Sequence, residues 1–387
     1  MLGKIKRSLV VMLAIVLGGC SYTSKKSDVD TVHNLALIKK DDVISIIRKV
    51  NDKWQSEHDV KANPFWHHAA YHAGNMAAYK LTRDSAYLQY SNDWADYNSW
   101  TGASSTDTGK WKYSYGETPE YVLFADWQAC FQVYADLYQL EPAEEKIARA
   151  KQVMEYQMST PQGDYWWWAD GLFMGMPVMT RLYKITNDSM YLDKLYTYFS
   201  FARDLMLDKT TGLLYRDAKY VYPAHKTDSG EKDFWARGNG WVITALARVL
   251  DDLPLNDAHR EEYIRIYKNM AHALAESQQS EGYWTRSMLD AQQAPGPETS
   301  GTAFFTYGIL WGLNNQLLDE ETYAPVVAKS WNYLSKTAVQ QNGVLGFVQP
   351  IGEKAIPGQI IDVNSTADFG VGAFLLAASE LVTYIED

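Results

Sequence analysis

Tyr79-Lys80-Leu81-Thr82-Arg83-Asp84-Ser85-Ala86-Tyr87-Leu88 returns almost position for position as Tyr183-Lys184-Ile185-Thr186-Asn187-Asp188-Ser189-Met190-Tyr191-Leu192. In each copy an apolar helix closes, Asp-Ser supplies an N-cap, and a more polar helix opens. Residues 248–253 and 312–317 occupy the equivalent place further along. Working outward from these joints, two kinds of helix alternate. Polar, amphipathic segments cover 41–54, 85–98, 143–158, 189–207, 257–278 and 321–336, and segments rich in Ala, Gly, aromatics and Met cover 67–81, 126–140, 170–185, 239–253, 299–317 and 367–384. A helix apolar on nearly all sides is buried, and one with a single apolar stripe covers it. Six of each predict an all-α fold, an (α/α)6 barrel of six inner and six outer helices. An open helical solenoid would show more uniform spacing than the roughly 45 to 70 residues between inner segments here. No Pro/Ser/Gly linker interrupts 40–387, which is expected to be one domain.

Upstream of that domain, Lys4, Lys6 and Arg7 precede an apolar run, 9–17, that ends at Gly18-Gly19-Cys20. The run is too short to span a bilayer and has the form of a secretory signal. Leu17-Gly18-Gly19-Cys20 resembles a bacterial lipobox, so 1–19 is expected to be removed, Cys20 lipidated, and 20–39 left as a tether. An ordinary secretory signal with an incidental cysteine is the alternative. By resemblance to Gram-negative lipoproteins, the absence of Asp after Cys20 favours the outer membrane, touched only through the lipid anchor. Loss of Lys4, Lys6 and Arg7 with that signal takes the formal net charge of the 387-residue chain from −11 to −14. That acidity argues against nucleic acid as a partner. With Cys20 lipidated only Cys130 remains, so no intramolecular disulfide is possible.

If the inner helices run parallel in a closed ring, their N-termini share one end. At or just before those starts stand Phe65-Trp66-His67-His68, Phe124-Ala125-Asp126-Trp127, Trp168-Ala169-Asp170, Trp235-Ala236-Arg237-Gly238-Asn239, Pro297-Glu298-Thr299-Ser300 and Ser365-Thr366-Ala367-Asp368. Capping explains the Asp, Ser, Thr and Asn. It does not explain the Trp and Phe, or His and Arg, beside them. Rings that pack on C–H faces, with polar groups that read hydroxyls, are what a sugar site needs. The sharpest case is Tyr165-Trp166-Trp167-Trp168-Ala169-Asp170-Gly171-Leu172-Phe173-Met174-Gly175-Met176-Pro177. Three consecutive tryptophans have no simple place on one face of a helix or strand. A carboxylate beside them is raised in pKa by desolvation and lowered by a helix N-terminus, which suits a group that gives and takes a proton. The alternative is a Trp-rich core segment with Asp170 as an N-cap. The long irregular stretch 208–234, with Leu214-Tyr215-Arg216-Asp217-Ala218, Tyr220, Tyr222 and His225, reads as a lid or binding wall.

Tyr165 to Pro177, Phe234-Trp235-Ala236-Arg237-Gly238-Asn239-Gly240-Trp241 and Glu298-Thr299-Ser300-Gly301-Thr302-Ala303 together resemble the unsaturated rhamnogalacturonyl hydrolases of glycoside hydrolase family 105. The unsaturated glucuronyl hydrolases of family 88 are related and look more distant. The resemblance implies an (α/α)6 barrel that removes the Δ4,5-unsaturated uronic acid left by a polysaccharide lyase at a non-reducing end, on rhamnogalacturonan- or ulvan-type oligosaccharides. It implies no metal or organic cofactor. By the same resemblance Asp170 is the general acid/base and Asp126 a support, with capping as the alternative for Asp126. Trp127 departs from the family's Ala-Asp-Asp segment.

His225 and Arg237 are candidates for the substrate carboxylate, against a surface histidine and a structural salt bridge as the alternatives. Trp168, Trp235 and Trp241 are candidate stacking platforms, with core packing an equal reading for Trp241. His67 and Glu298 complete the candidate substrate-binding set. A metal at His67, His68 and His72 is rejected because adjacent His67 and His68 should not share one helical face and no acidic third ligand stands at a suitable spacing. Two rivals remain: an (α/α)6 polysaccharide lyase using Tyr215 and His225, and a noncatalytic glycan-binding lipoprotein that would have no need of Asp170.

Overall fold

A computed structural model describes residues 35–386, and the signal, Cys20 and most of the tether lie outside the described residues. The described chain is helical, with loops joined by isolated bridges and no strand of a sheet. In chain order the helices are α1 (Lys40–Glu57), α2 (Trp66–Thr82), α3 (Ser85–Tyr97), α4 (Ala125–Gln128), α5 (Cys130–Leu140), α6 (Glu145–Ser159), α7 (Ala169–Thr186), α8 (Met190–Met206), α9 (Ala236–Asp252), α10 (Arg260–Ser277), α11 (Thr299–Asn314), α12 (Glu320–Tyr333) and α13 (Asp368–Glu386). Ala129 between α4 and α5 keeps helical dihedrals, so the pair is one bent inner helix. Twelve segments therefore alternate as the sequence predicts, and α12 runs on into a π turn, Leu334–Ala338.

The inner set closes on itself. α2 packs on α4 and α5, these on α7, α7 on α9, α9 on α11, α11 on α13, and α13 back on α2. The helices α3, α6, α8, α10 and α12 each lie against an inner helix, and α1 lies against α13. Nearly every residue of α9 and α11 is buried. The last seam is the tightest. A Cβ on Gly74 would lie 2.2 Å from the carbonyl oxygen of Gly372, and one on Gly372 2.2 Å from that of Ala70. Only hydrogen at both positions lets the two backbones meet. α13 is apolar and long enough to cross a membrane by composition, yet it is largely buried as a wall of this ring.

The repeated joint is a matched stop and start. Arg83 and Asn187 end α2 and α7 in the left-handed region, at φ 56° and 59°, each returning its N–H to the carbonyl of Tyr79 or Tyr183. Thr82 and Thr186 bond back to Ala78 and Leu182. Asp84 then accepts from the N–H of Ala86, and Asp188 from that of Met190.

Charge inside the ring gathers at the C-terminal ends of the inner helices. Asp136 on α5 takes Arg181 Nε at 3.1 Å, Lys80 Nζ at 3.4 Å and Arg248 Nη2 at 3.9 Å. Asp252 takes Lys184 Nζ at 2.7 Å and Arg181 Nη1 at 3.7 Å. The cations hold Asp136 well below the usual carboxylate range despite its burial. Nearby, burial pushes Glu380 up to about 7; a hydrogen bond from Asn314 opposes the shift and the charge of Asp251 adds to it. A carboxyl whose pKa is raised by folding contributes stability that is complete below its unfolded value, about 4.3, and is lost as pH rises through its folded one. Glu380→Gln keeps an acceptor for Asn314. Its thermal midpoint is expected to exceed the parent's at about pH 8 and to match it near pH 4, as read by calorimetry at the two values.

Candidate active site

The three tryptophans before α7 go three ways. Trp166 is fully buried behind the helix, so close that a Cβ on Gly175 would lie 2.3 Å from its Nε1. Trp168 stacks on Phe124 with ring centroids 4.9 Å apart and turns its edge to a cavity. Trp167 remains half-buried, with the Arg216 guanidinium 6.0 Å from its ring centroid. Extended backbone at Trp168 makes this divergence possible, and the bridge from Trp168 to Asp217 holds it. The N–H of Ala169 donates to the carbonyl of Arg216 at 2.8 Å, which brings a loop arginine beside the first turn of α7.

The cavity, about 370 Å³, sits at the mouth where the inner helices begin. Its wall includes Trp66 and His67 from the start of α2, Asp126 from α4, Trp168, Asp170 and Met174 from the start of α7, Arg216 from the long loop, and Glu353 from a second loop. The sequence-predicted Asp170, Asp126, Trp168 and His67 are thus brought together. Burial raises the pKa of Asp170 while Arg216 and Arg237 oppose that rise. Burial also raises Asp126 well above the usual range, and the charge of Asp170 adds to it. Arg216 Nε lies 3.5 Å from Asp170 Oδ2, and Arg216 Nη1 is anchored on Asp217 at 2.7 Å with Glu353 3.5 Å away. Asp170 Oδ2 is buried and makes no hydrogen bond within the described protein. A carboxyl that burial raises, placed in a cavity wall beside a guanidinium, is suited to exchange a proton with a ligand.

Five other candidates do not line this cavity. Arg237 is fully buried; its Nη1 and Nη2 donate to the carbonyls of Gln349 and Pro350 at 2.7 and 2.8 Å, and Trp235 and Phe369 lie near its guanidinium. Glu298 is fully buried and caps α11, accepting from the N–H groups of Ser300, Gly301 and Gln349. Trp235 donates Nε1 to Gln349 at 2.8 Å. The physical reason is shared: the loop around Gln349 lies over the starts of α9 and α11 and consumes their polar groups. Trp241 packs inside the ring on Trp66, Phe173 and Phe304, so its core reading holds. His225 is drawn to Asp233 at 2.8 Å and meets Tyr220 edge-on. Tyr215 is buried on Asp208 and likewise lies outside the cavity.

The geometric argument against His67 and His68 acting together also fails. His67 Nδ1 and His68 Nδ1 both reach Asp368 Oδ2, at 2.5 and 2.9 Å, because they stand in the first turn of α2 and Asp368 approaches from α13. These three side chains are a group that could hold a metal among the described residues. The two His–Asp separations are hydrogen-bond lengths, shorter than the roughly 3.4 Å between ligands around a tetrahedral zinc with bonds of about 2.0–2.2 Å. The contacts hold Asp368 well below its ordinary range against its burial. Arg216 is the residue that the sequence argument passed over. The signal was present: it is the single arginine of 208–234, flanked by Tyr215 and Asp217.

Residues 39–385 match the family model described as Glycosyl Hydrolase Family 88. An unsaturated 3S-rhamnoglycuronyl hydrolase of Formosa agariphila is 33% identical over 345 residues, covering 85% of this chain and 88% of that protein. Among solved structures, a glycosyl hydrolase family 88 protein from Bacteroides vulgatus is 56% identical with a TM-score of 0.88, covering 89% of this chain and 99% of that one. A polysaccharide lyase is 61% identical with a TM-score of 0.88, covering 90% and 98%. A possible family 105 member from Salmonella enterica, 20% identical at a TM-score of 0.72 over 89% of this chain and 95% of that one, shares the fold.

Proposed function

We propose, from the premise that the chain belongs to Glycosyl Hydrolase Family 88, that it removes a Δ4,5-unsaturated uronic acid from the non-reducing end of oligosaccharides released by a lyase, of rhamnogalacturonan or ulvan type. The observation that carries this reading is Asp170: a largely buried carboxyl, raised in pKa by desolvation and facing the Arg216 guanidinium, in the wall of a Trp-lined cavity. The acid form donates its proton to C4 of the enol ether. Water adds to C5, and the Asp170 carboxylate takes the proton that the water sheds. The resulting hemiketal opens, and the hemiacetal at C1 releases the aglycone. The first step leaves Asp170 as the base that the second needs, and the second restores the acid for the next turnover. Arg216 faces the uronate carboxylate in place of the covered Arg237, and Asp126 shares the wall as a support, its own carboxyl raised by burial and by the charge of Asp170.

Arg216→Gln is expected to raise KM for unsaturated uronides by about 10- to 100-fold, the size of a lost charge-assisted hydrogen bond. Arg216 also lowers the pKa of Asp170. Its removal lets that pKa climb, so the alkaline limb of the kcat profile should move to higher pH. A kcat profile with an unmoved limb would remove Arg216 from the neighbourhood of the acid.

A specific observation favours a second reading, β-elimination from a saturated uronate: the 61% identity to a polysaccharide lyase. The base would be His67 Nε2, its tautomer fixed by the Nδ1–H bond to Asp368. It would take H5, the C4–O4 bond would break as the C4=C5 double bond forms, and Tyr115, on the same wall, would protonate O4. One experiment separates the two. Hydration of an unsaturated end abolishes absorbance at about 235 nm, and elimination creates it. Lyase-digested and undigested rhamnogalacturonan, ulvan and arabinogalactan are incubated with the protein. Falling absorbance on the digests is expected; a rise on undigested chains would replace hydration by elimination, and no change on any of them would overturn both.

We also propose, from the Leu17-Gly18-Gly19-Cys20 signal, that the protein is an outer-membrane lipoprotein.

A further inference from the structure

A hollow of about 440 Å³ lies on the outer flank of the ring, between α8 and α10 and against the turn that joins Leu207 to Leu214. None of its residues lines the Asp170 cavity. We propose that it is a second binding site, for an acidic glycan segment whose sugar carries a carboxylate or a sulfate ester. The site stands whichever reaction the Asp170 cavity performs.

Charge is the first argument. The protein is acidic, with a formal net charge of −11. Yet Arg203, Lys209 and Arg265 line this hollow against Asp204 and Glu262, three cations to two acids and so a local surplus of +1. Both acids are already engaged. Arg203 donates through Nη1 to Glu262 Oε1 and through Nε to Asp204 Oδ1 at 2.8 Å, and the Tyr196 hydroxyl donates to Glu262 Oε2 at 2.8 Å. The other two cations are left over. Lys209 makes no ion pair among the described residues, and Arg265, with its side chain 65% exposed, comes no nearer to Glu262 than 3.8 Å, beyond hydrogen-bond length. Their N–H groups are free for a carboxylate or sulfate, with which charge-assisted bonds are strong.

Shape is the second. An inorganic ion would meet the cations and leave Tyr196, Leu207 and Ile266 uncovered. Those side chains offer an apolar strip to the C–H face of a sugar ring, and the exposed amide of Asn269 can meet its hydroxyls.

The walls are in place before any ligand arrives. Tyr196 is stacked on His259 with ring centroids 3.3 Å apart. In the turn, Asp208 Oδ1 accepts from the N–H groups of Thr210 and Thr211, and the Asp208 carbonyl accepts from the N–H of Gly212. Gly212 stands in the left-handed region at φ 77°, where a Cβ would lie 2.9 Å from the carbonyl oxygen of Asn269. Glycine thus lets the turn press on α10 and close one end of the hollow. A preformed wall loses little conformational freedom when a ligand binds.

The test uses the whole protein. Amide shifts of Lys209, Gly212 and Asn269 are followed by NMR during titration with trigalacturonate, which carries carboxylates alone, with a sulfated galactan oligosaccharide, which carries sulfate esters alone, and with neutral galactotriose. An acidic oligosaccharide is expected to move all three amides, more weakly as salt is raised, and galactotriose to leave them in place. The double variant Lys209→Gln, Arg265→Gln should weaken that binding at least about tenfold, the size of one lost charge-assisted bond. Its thermal midpoint and its turnover at the Asp170 cavity should match the parent's. A response to the carboxylated ligand alone, or to the sulfated one alone, supports the site and fixes its anion. Acidic oligosaccharides that leave the three amides unmoved, that bind the double variant as well as the parent, or that bind no better than galactotriose overturn the site. Shifts that grow with protein concentration in the absence of sugar overturn it as well, because the hollow would then be an interface between copies of the chain.

Discussion

Asp170→Asn is expected to lower kcat on unsaturated oligosaccharides by about 10²- to 10⁴-fold, the usual contribution of a positioned acid or base, with KM changed by less than about threefold. The amide is isosteric, keeps the polar contacts available to the first turn of α7, and has no proton of the required acidity for C4. Since Asp170 lies within the cavity wall and makes no hydrogen bond through Oδ2, little native structure depends on its charge. The thermal midpoint should therefore stay where it was or rise slightly, as expected when a desolvated carboxyl is neutralised. Loss of turnover with the midpoint intact is the signature of chemistry at this side chain. A variant that still bleached the chromophore at the parent's rate would remove Asp170 from the reaction.

The opposite mouth gives the opposite pattern. Asp136→Asn is expected to cost about 3–5 kcal/mol of stability, because it leaves two buried arginines without their shared counter-ion. Arg181 and Arg248 both point at this carboxylate, and burial alone already disfavours their charges. Urea unfolding should show a lower midpoint with an unchanged slope. In the folded fraction kcat should match the parent, since Asp136 stands near the C-terminal end of α5 and the cavity lies at the N-terminal ends. A kcat that fell in step with stability would mean that the two mouths are coupled through the ring.

The comparison of these two mouths shows what the amino-acid order makes legible. Twelve helices can be read from it because burial on all sides and burial on one side leave different residue patterns, and the Asp-Ser joints carry stop and start signals in the side chains themselves. Asp126, Asp170, Trp168 and His67 can be placed together because they occupy equivalent positions at the starts of parallel helices. Arg237 and Glu298 occupy equivalent positions too, and there the argument breaks. Whether a polar group at a helix start faces solvent depends on what crosses over it, and the chain around Gln349, which does so, has no periodicity to announce its path. Arg216 was hidden for the same reason, since its approach to Asp170 depends on a backbone hydrogen bond between loop and helix. His67 and His68 mislead because the rule of opposed helical faces ignores a partner arriving from a different helix.

The seam where Gly74 meets Gly372 has a consequence for biogenesis. Its two sides are separated by nearly the whole length of the domain, so a nascent chain has made five of the six inner walls before the element that shuts the cylinder has left the ribosome. Until then the apolar flanks of α2 and α11 stay open to solvent and to other chains, and closure waits on a contact between remote parts of the polypeptide. Any side chain larger than hydrogen at either glycine should thus be felt first as slow refolding and aggregation during synthesis.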